Sequence, residues 1–174
     1  FLISKNVKAI VIACNTATAR ALKEANEKYD LPIIGVIEAG AKTAAYTTKN
    51  KIVGVIGTDG TIRSKAYNIE IAKIDPEIKI VDKACPLFVP IVEEGWANTD
   101  IASLTARRYL EELMDKGIDS LVLGCTHYPL LKRTIGEIVG ENVKLVNPAR
   151  ETAKDLKRIL ENDNILREET EEDP

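Results

Sequence analysis

Asn6-Val7-Lys8-Ala9-Ile10-Val11-Ile12-Ala13-Cys14-Asn15-Thr16 and Gly117-Ile118-Asp119-Ser120-Leu121-Val122-Leu123-Gly124-Cys125-Thr126 follow one plan. Each is a turn, a short apolar run, a small residue, a cysteine, and then a threonine where a helix is expected to open. A continuous apolar run of this length reads as a parallel strand buried on both faces. An echo of a whole strand-to-helix unit points to two similar lobes related by a pseudo-twofold. On that geometry the two thiols would face each other across the cleft between the lobes.

The same alternation runs through the rest of the chain. Ile33–Val36, Ile52–Gly57, Ile78–Asp82 and Lys144–Val146 read as further strands. Helices are expected over Thr16–Tyr29, Glu38–Thr48, Ile62–Ile74, Asp100–Lys116, Leu130–Val139 and Glu151–Leu160, with one short helix in Cys85–Gly95. On Asp100–Lys116, Ala102, Ala106, Leu110 and Leu113 share a stripe, and Gly117 ends the helix. On the last helix Ala153, Leu156 and Leu160 are expected to share a face. Repeated strand–helix units give an α/β fold: two lobes with parallel sheets flanked by helices. The expected division is 1–40 with 147–174 for the first lobe and 41–146 for the second. Ligands of such folds sit beyond the carboxyl ends of the strands, where both cysteines fall.

Composition narrows the function classes. The chain has 174 residues, 45% of them hydrophobic and 29% charged, enough apolar material for a core. Its 24 basic and 27 acidic residues leave a net charge of −3, with no basic excess for nucleic acid or an anionic membrane. No apolar stretch approaches the roughly 20 residues of a membrane span, and no signal peptide opens the chain. Three scattered cysteines do not make a disulfide framework, so a reduced cytoplasmic setting is expected. The end from Arg167 to Pro174 is acidic and reads as a solvated tail. The chain opens on Phe1 rather than Met. Phe1-Leu2-Ile3 reads as the last turn of a helix, and a piece is expected to precede it.

A thiol between a strand end and a helix start lies near free backbone N–H groups and the positive end of the helix dipole. Both favour the thiolate. Two such groups on opposite faces of one small molecule could remove a proton from a carbon and return one to the far side, inverting the centre. Asn15, Thr16 and Thr126 offer amide and hydroxyl donors suited to a carboxylate. His127, two residues after Cys125, could orient or relay for that thiol. Plainer readings exist: a lone cysteine is usually a small core residue, Thr16 and Thr126 could simply cap helices, and His127 could make a structural bond before Pro129. Cys85, followed by Pro86 and without an echo, reads as core. Gly57-Thr58-Asp59-Gly60-Thr61 reads as a strand-to-helix turn with Thr61 as cap; it lacks the lysine of a phosphate-binding loop.

Cys14-Asn15-Thr16-Ala17-Thr18-Ala19 and Gly124-Cys125-Thr126-His127-Tyr128-Pro129-Leu130-Leu131 resemble the two signature motifs of the glutamate racemases, in the cofactor-independent aspartate/glutamate racemase superfamily. Gly54–Thr58, Cys85–Pro90 and Pro148–Ala153 resemble the family too. The resemblance implies that Cys14 and Cys125 are the two catalytic acid/bases, each serving one enantiomer of glutamate. It implies that Asn15, Thr16, Thr126 and His127 bind substrate. It also implies that His127 assists Cys125, with Glu93 as its carboxylate partner, although Glu93 beside Glu94 also reads as a solvated helix end. No cofactor and no metal are implied. The family supplies D-glutamate for bacterial peptidoglycan, and a homodimer is left open. The family opens with an Asp-Ser pair near a glycine-rich turn and, later, a Pro-Tyr-Gly turn, neither of which has a counterpart here. The resemblance therefore implies that this polypeptide alone is inactive or nearly so.

Three other readings remain. Cys14–Arg20 matches the bare C-x5-R pattern of cysteine phosphatases, but without a glycine in the loop and with Ala21 after the arginine. Cys14, Cys85, Cys125 and His127 supply a Cys3His count for structural zinc, without the paired spacing such sites use. A related racemase acting on aspartate or another small acid would share most of these motifs.

Overall fold

The structure, a computed structural model, describes residues 1–167. The expected acidic tail, past Arg167, lies outside the described residues. In chain order the elements are β1 (Ile10–Ile12), α1 (Asn15–Lys28), β2 (Ile33–Gly35), α2 (Val36–Thr47), β3 (Ile52–Gly57), α3 (Asp59–Ser64), α4 (Ala66–Ile74), β4 (Lys79–Ala84), α5 (Phe88–Glu93), α6 (Asp100–Asp115), β5 (Ser120–Gly124), α7 (Lys132–Val139), β6 (Lys144–Val146) and α8 (Pro148–Asn162). Single 3-10 turns occupy Ile3–Lys5 and Tyr128–Leu131. The fold is α/β, with two parallel sheets flanked by helices. A small sheet holds β1 and β2; a larger one has the order β4-β3-β5-β6.

The larger sheet is buried on both faces, as the runs IVGVIG and SLVLG require. Alternate residues of a strand point to opposite faces. Ile56, Leu121 and Leu123 therefore enter one core with Phe88, Leu110 and Leu113, while Val53, Val55 and Val122 enter another with Ile37, Tyr67 and Ile71. The expected stripe on α6, Ala102, Ala106, Leu110 and Leu113, is fully buried. Thr99 caps this helix, accepting from the Ala102 N–H at 3.4 Å. Gly117 turns the chain away at φ +72°, a left-handed conformation that favours glycine.

Several expectations need correction. KAIVIA was expected to be buried on both faces, but β1 spans only three residues and Val11 is 39% exposed. Among the described residues β1 pairs with β2 alone, and Val11 belongs to neither buried core. Phe1-Leu2-Ile3 does not end an apolar helix against a core; all three side chains are exposed, beside the 3-10 turn of Ile3–Lys5. Ile62–Ile74 is two helices rather than one. Lys65 adopts φ 54° between them, and the Ser64 hydroxyl donates to the Thr61 carbonyl at 2.6 Å and accepts from the Ala66 N–H at 3.3 Å. A serine that bonds its own backbone competes with helix continuation. The β3–α3 turn is capped by Thr58, not Thr61: Thr61 N–H donates to the Thr58 hydroxyl at 3.3 Å. Helix α8 starts at Pro148, a turn before the expected Glu151, because Asn147 accepts from Ala149 N–H at 3.1 Å and caps it. On this helix Ala153 is exposed and Thr152 is buried instead.

Asp119 ties the turn after α2 to the start of β5. Its carboxylate accepts from the Thr48 hydroxyl at 2.6 Å and from the backbone N–H groups of Lys49 and Asn50 at 2.6 and 2.8 Å. Partial burial pushes its pKa up, but these donors outweigh burial and hold it below the ordinary 3.8. A depressed carboxyl contributes stability that is complete above its unfolded pKa and is lost as pH falls through the folded one. Asp119→Asn should therefore lower stability by about 1 kcal/mol at neutral pH, a modest figure because the site is partly solvated. Melting curves of the two proteins should converge as the pH is lowered from about 4 toward 2. A constant gap across that range would show that the carboxylate charge is not what matters.

Candidate active site

The carboxyl ends of β1, β2, β5 and β6 converge on a cavity of about 90 Å³, lined among others by Ala13, Asn15, Val36, Cys125, Thr126 and Asn147. The strand-end rule thus locates a real opening, shared by the small and the large sheet. Cys125 directly follows β5 and is buried, whereas Cys14 caps α1 and is exposed. Cys14 lies between two lining residues, Ala13 and Asn15, but is not itself in the lining. Cys14 is close enough to Cys125 to be one of the causes that raise the Cys125 pKa.

The expectation that a helix start lowers both thiols is reversed at Cys125. Burial pushes it up, the His127 N–H pulls it down, the Cys14 charge pushes it up again, and the Thr126 hydroxyl and Tyr128 N–H pull it down; the net direction is upward. The local reason is that no α-helix begins beside it. Pro129 lies within a 3-10 turn that separates Cys125 from α7, so fewer aligned peptide dipoles point at the sulfur. Shifted in this direction, Cys125 favours its thiol form, which can give a proton.

Beside Cys125 a short chain of contacts leads through His127 to Glu93. His127 Nδ1 lies 3.7 Å from the Cys125 sulfur and 3.4 Å from the Thr126 hydroxyl, and Nε2 is in a hydrogen bond with the Glu93 carboxylate. Glu93 is the last residue of α5, which packs on the 3-10 turn carrying Tyr128. The structure thus brings Glu93 to His127 across 34 residues of sequence.

Thr16 does not cap a helix. Its hydroxyl lies 2.8 Å from that of Thr58 and 3.1 Å from that of Thr61, and those two lie 3.2 Å from each other. This hydroxyl cluster joins α1 to the β3–α3 turn. Thr126 is exposed and lines the cavity. Asn15 is buried, and its Oδ1 accepts from the Tyr67 hydroxyl at 2.7 Å.

Two contributors were missed. Thr18 donates to the Ile12 carbonyl at 2.8 Å and accepts from the Val36 N–H at 3.4 Å, bolting α1 to the ends of β1 and β2. Tyr67, in α4, holds Asn15. Neither carries a sequence signal, since each partnership depends on tertiary approach. Cys85 stands apart, fully buried, its thiol pushed up to about 12 chiefly by burial and bonded to the Lys83 carbonyl at 3.7 Å. Residues 15–20 of the C-x5-R match are already helical, so no loop wraps an anion there. Among the described residues, no three of the His, Cys, Asp and Glu side chains gather into a metal-binding group.

The sequence matches the Asp/Glu/Hydantoin racemase family over residues 2–156. It is 54% identical over 172 residues to a glutamate racemase of Geobacter metallireducens, covering 99% of this chain and 64% of that protein. The fold is similar to the crystal structure of a glutamate racemase isoform of Bacillus anthracis, with a TM-score of 0.90, 40% identity, and 95% of this chain and 63% of the other covered. It is equally similar to the glutamate racemase of Francisella tularensis in complex with D-glutamate: TM-score 0.90, 40% identity, with 98% and 63% covered. The chain thus spans less than two thirds of each of these proteins.

Proposed function

The chain belongs to the Asp/Glu/Hydantoin racemase family, and we propose that it carries the two-thiol site of a glutamate racemase, an isomerase that needs no cofactor. The observation that carries this reading is the placement of Cys14 and Cys125 at strand ends of two sheets, beside one cavity and within electrostatic reach of each other.

One sulfur, as thiolate, takes the Cα proton: an S–H bond forms, and the C–H electron pair stays on carbon and spreads into the carboxylate. The opposite sulfur, as thiol, gives its proton to the other face. One proton is taken and one returned, with no change in oxidation state. The Asn15 amide and the Thr126 hydroxyl supply donors for the carboxylate as its charge grows. Thr16 serves the substrate by anchoring α1, and its hydroxyl, with one donor and two acceptor sites, can accept from Thr58 and Thr61 and still donate to a ligand. His127 takes part in binding and, held by Glu93, orients toward Cys125. The product, D-glutamate, would serve peptidoglycan synthesis in the cytoplasm. No helix of the described residues is long and apolar enough to cross a membrane, the net charge of −3 offers nucleic acid no basic excess, and pairing with a second copy of the chain is left open. The lobes fall, on this reading, at 1–40 with 147–174 and at 41–146.

Circular dichroism of L- and D-glutamate in deuterated buffer tests the proposal directly. Joined to the opening segment that the family carries, the chain is expected to interconvert the two enantiomers with deuterium entering at Cα, whereas alone it is expected to turn over little or nothing; equal turnover of aspartate would move the assignment to a sister activity, and hydrolysis of a phosphate ester without racemisation would overturn it. Glu93→Gln should slow the half-reaction that depends on Cys125 by about tenfold, less than loss of an acid/base group itself. It should leave the Cys14 half-reaction close to its original rate. Deuterium wash-in from each enantiomer separates the two, and equal slowing of both would detach Glu93 from Cys125.

A further inference from the structure

We infer that Tyr67 is a positioning residue that decides which limb of the Asn15 carboxamide faces the cavity, so that Asn15 presents its NH2 group to a ligand carboxylate; the inference rests on the reading above. Asn15 is the first residue of α1 and is 4% exposed; Tyr67 lies in α4 and is 2% exposed. The Tyr67 hydroxyl donates to Asn15 Oδ1 at 2.7 Å. Burial pushes the phenol pKa well above its ordinary value, so the hydroxyl keeps its proton and stays a donor. A carboxamide is planar, with an acceptor on one limb and a donor on the other. With Oδ1 committed to Tyr67, the NH2 limb is left for the cavity that Asn15 lines with Cys125 and Thr126. The reversed amide would strand the phenol hydrogen in a buried place without an acceptor, which folded proteins avoid.

Tyr67 is seated in a fully packed place that only glycine neighbours leave open. A Cβ on Gly124 would lie 3.3 Å from its Cε2 atom, and one on Gly40 would lie 3.1 Å from its hydroxyl oxygen. Glycine at both positions makes room for the ring against the end of β5 and the middle of α2. The consequence is chemical selection: an NH2 group facing the cavity attracts carboxylate oxygens and repels an ammonium. It also sits where negative charge grows when the Cα proton leaves.

Tyr67→Phe keeps the ring and removes only the hydroxyl, so the test uses that variant of the full chain with two readouts. The first is nuclear magnetic resonance of the Asn15 side-chain NH2, identified by its loss in Asn15→Asp. In the parent chain its protons should relax with those of Thr126 or Cys125; contact with the Tyr67 ring instead would overturn the inference whether or not glutamate binds. The second is the glutamate concentration that half-protects Cys14 and Cys125 from iodoacetamide. Tyr67→Phe should raise it roughly five- to tenfold, the effect of one hydrogen bond. Asn15→Ala should raise it similarly, and the double variant no further than Asn15→Ala. Additive losses, or a Tyr67→Phe protein that melts lower yet is protected as before, would reduce Tyr67 to a packing residue. Failure of glutamate to protect the parent chain would count against the racemase reading, while the resonance measurement would still decide the amide's orientation.

Discussion

In the chain joined to the family's opening segment, Cys125→Ala is expected to abolish racemisation in both directions, by at least about a thousandfold, because a two-sided proton transfer has no substitute for a missing side. Cys14→Ala should do the same. The informative difference lies in isotope exchange. A protein left with Cys14 alone still has a base on one face, so it can exchange the Cα proton of one enantiomer for deuterium and return it to the same face. A protein left with Cys125 alone should exchange only the other enantiomer. Cys→Ser at either position should retain less of this exchange than the remaining thiol provides, since a hydroxyl is a far weaker acid than a thiol. Cys85→Ala serves as the contrast: Cys85 is enclosed in the core of α5, α6 and β5, and its loss should cost stability without selecting an enantiomer. Equal residual racemisation in Cys14→Ala and Cys125→Ala would refute distinct roles for the two sulfurs.

Gly124→Ala is expected to be among the most damaging substitutions of the scaffold, although it adds one methyl group. Gly124 sits beside Gly57 in the β3–β5 ladder, and a Cβ there would stand 2.5 Å from the backbone oxygen of Ile56. A flexible side chain could give way, but a carbonyl inside a central ladder cannot do so without spreading the strands. The cost should reach the upper end of the roughly 1–3 kcal/mol typical of overpacking, a fall in melting temperature of about 6–12 °C at this chain length. Since Cys125 follows immediately, its alkylation rate should change with the strand end. Gly136→Ala is the control. Its Cβ would meet only the Leu145 Cδ1 atom at 3.8 Å, an ordinary contact, and Gly136 lies inside α7, where alanine is the better helix former. That substitution should raise stability by about 0.5–1 kcal/mol. Equal melting temperatures for the two alanine variants would show that the β3–β5 ladder tolerates what the geometry forbids.

The strands were legible because burial on both faces leaves an uninterrupted apolar run. IVGVIG and SLVLG were read residue for residue. The stripe of α6 was legible for a related reason: its period matches one helical face. The errors cluster where a polar side chain bonds backbone a few residues away. Ser64 breaks the expected helix at Lys65, and Asn147 starts α8 a turn early. Both acts are local in sequence, but each competes with alternatives of nearly equal energy, and packing decides between them.

The candidate site divides in the same manner. That two cysteines end equivalent strands, with asparagine, threonine and histidine beside them, was visible in the linear order alone, because strand–turn–helix grammar is written in short range. What that order could not carry was the company these residues keep. Tyr67 reaches Asn15 from 52 positions away, Glu93 reaches His127 from 34, and Thr16 shares its hydroxyl with Thr58 and Thr61. The protonation of Cys125 also escaped the sequence, since the dipole that would lower it is a local feature, whereas the burial that raises it is created by chain segments that meet only in the folded molecule. The types and order of the chemical groups are thus properties of the chain; their partners, orientation and acidity are properties of its packing.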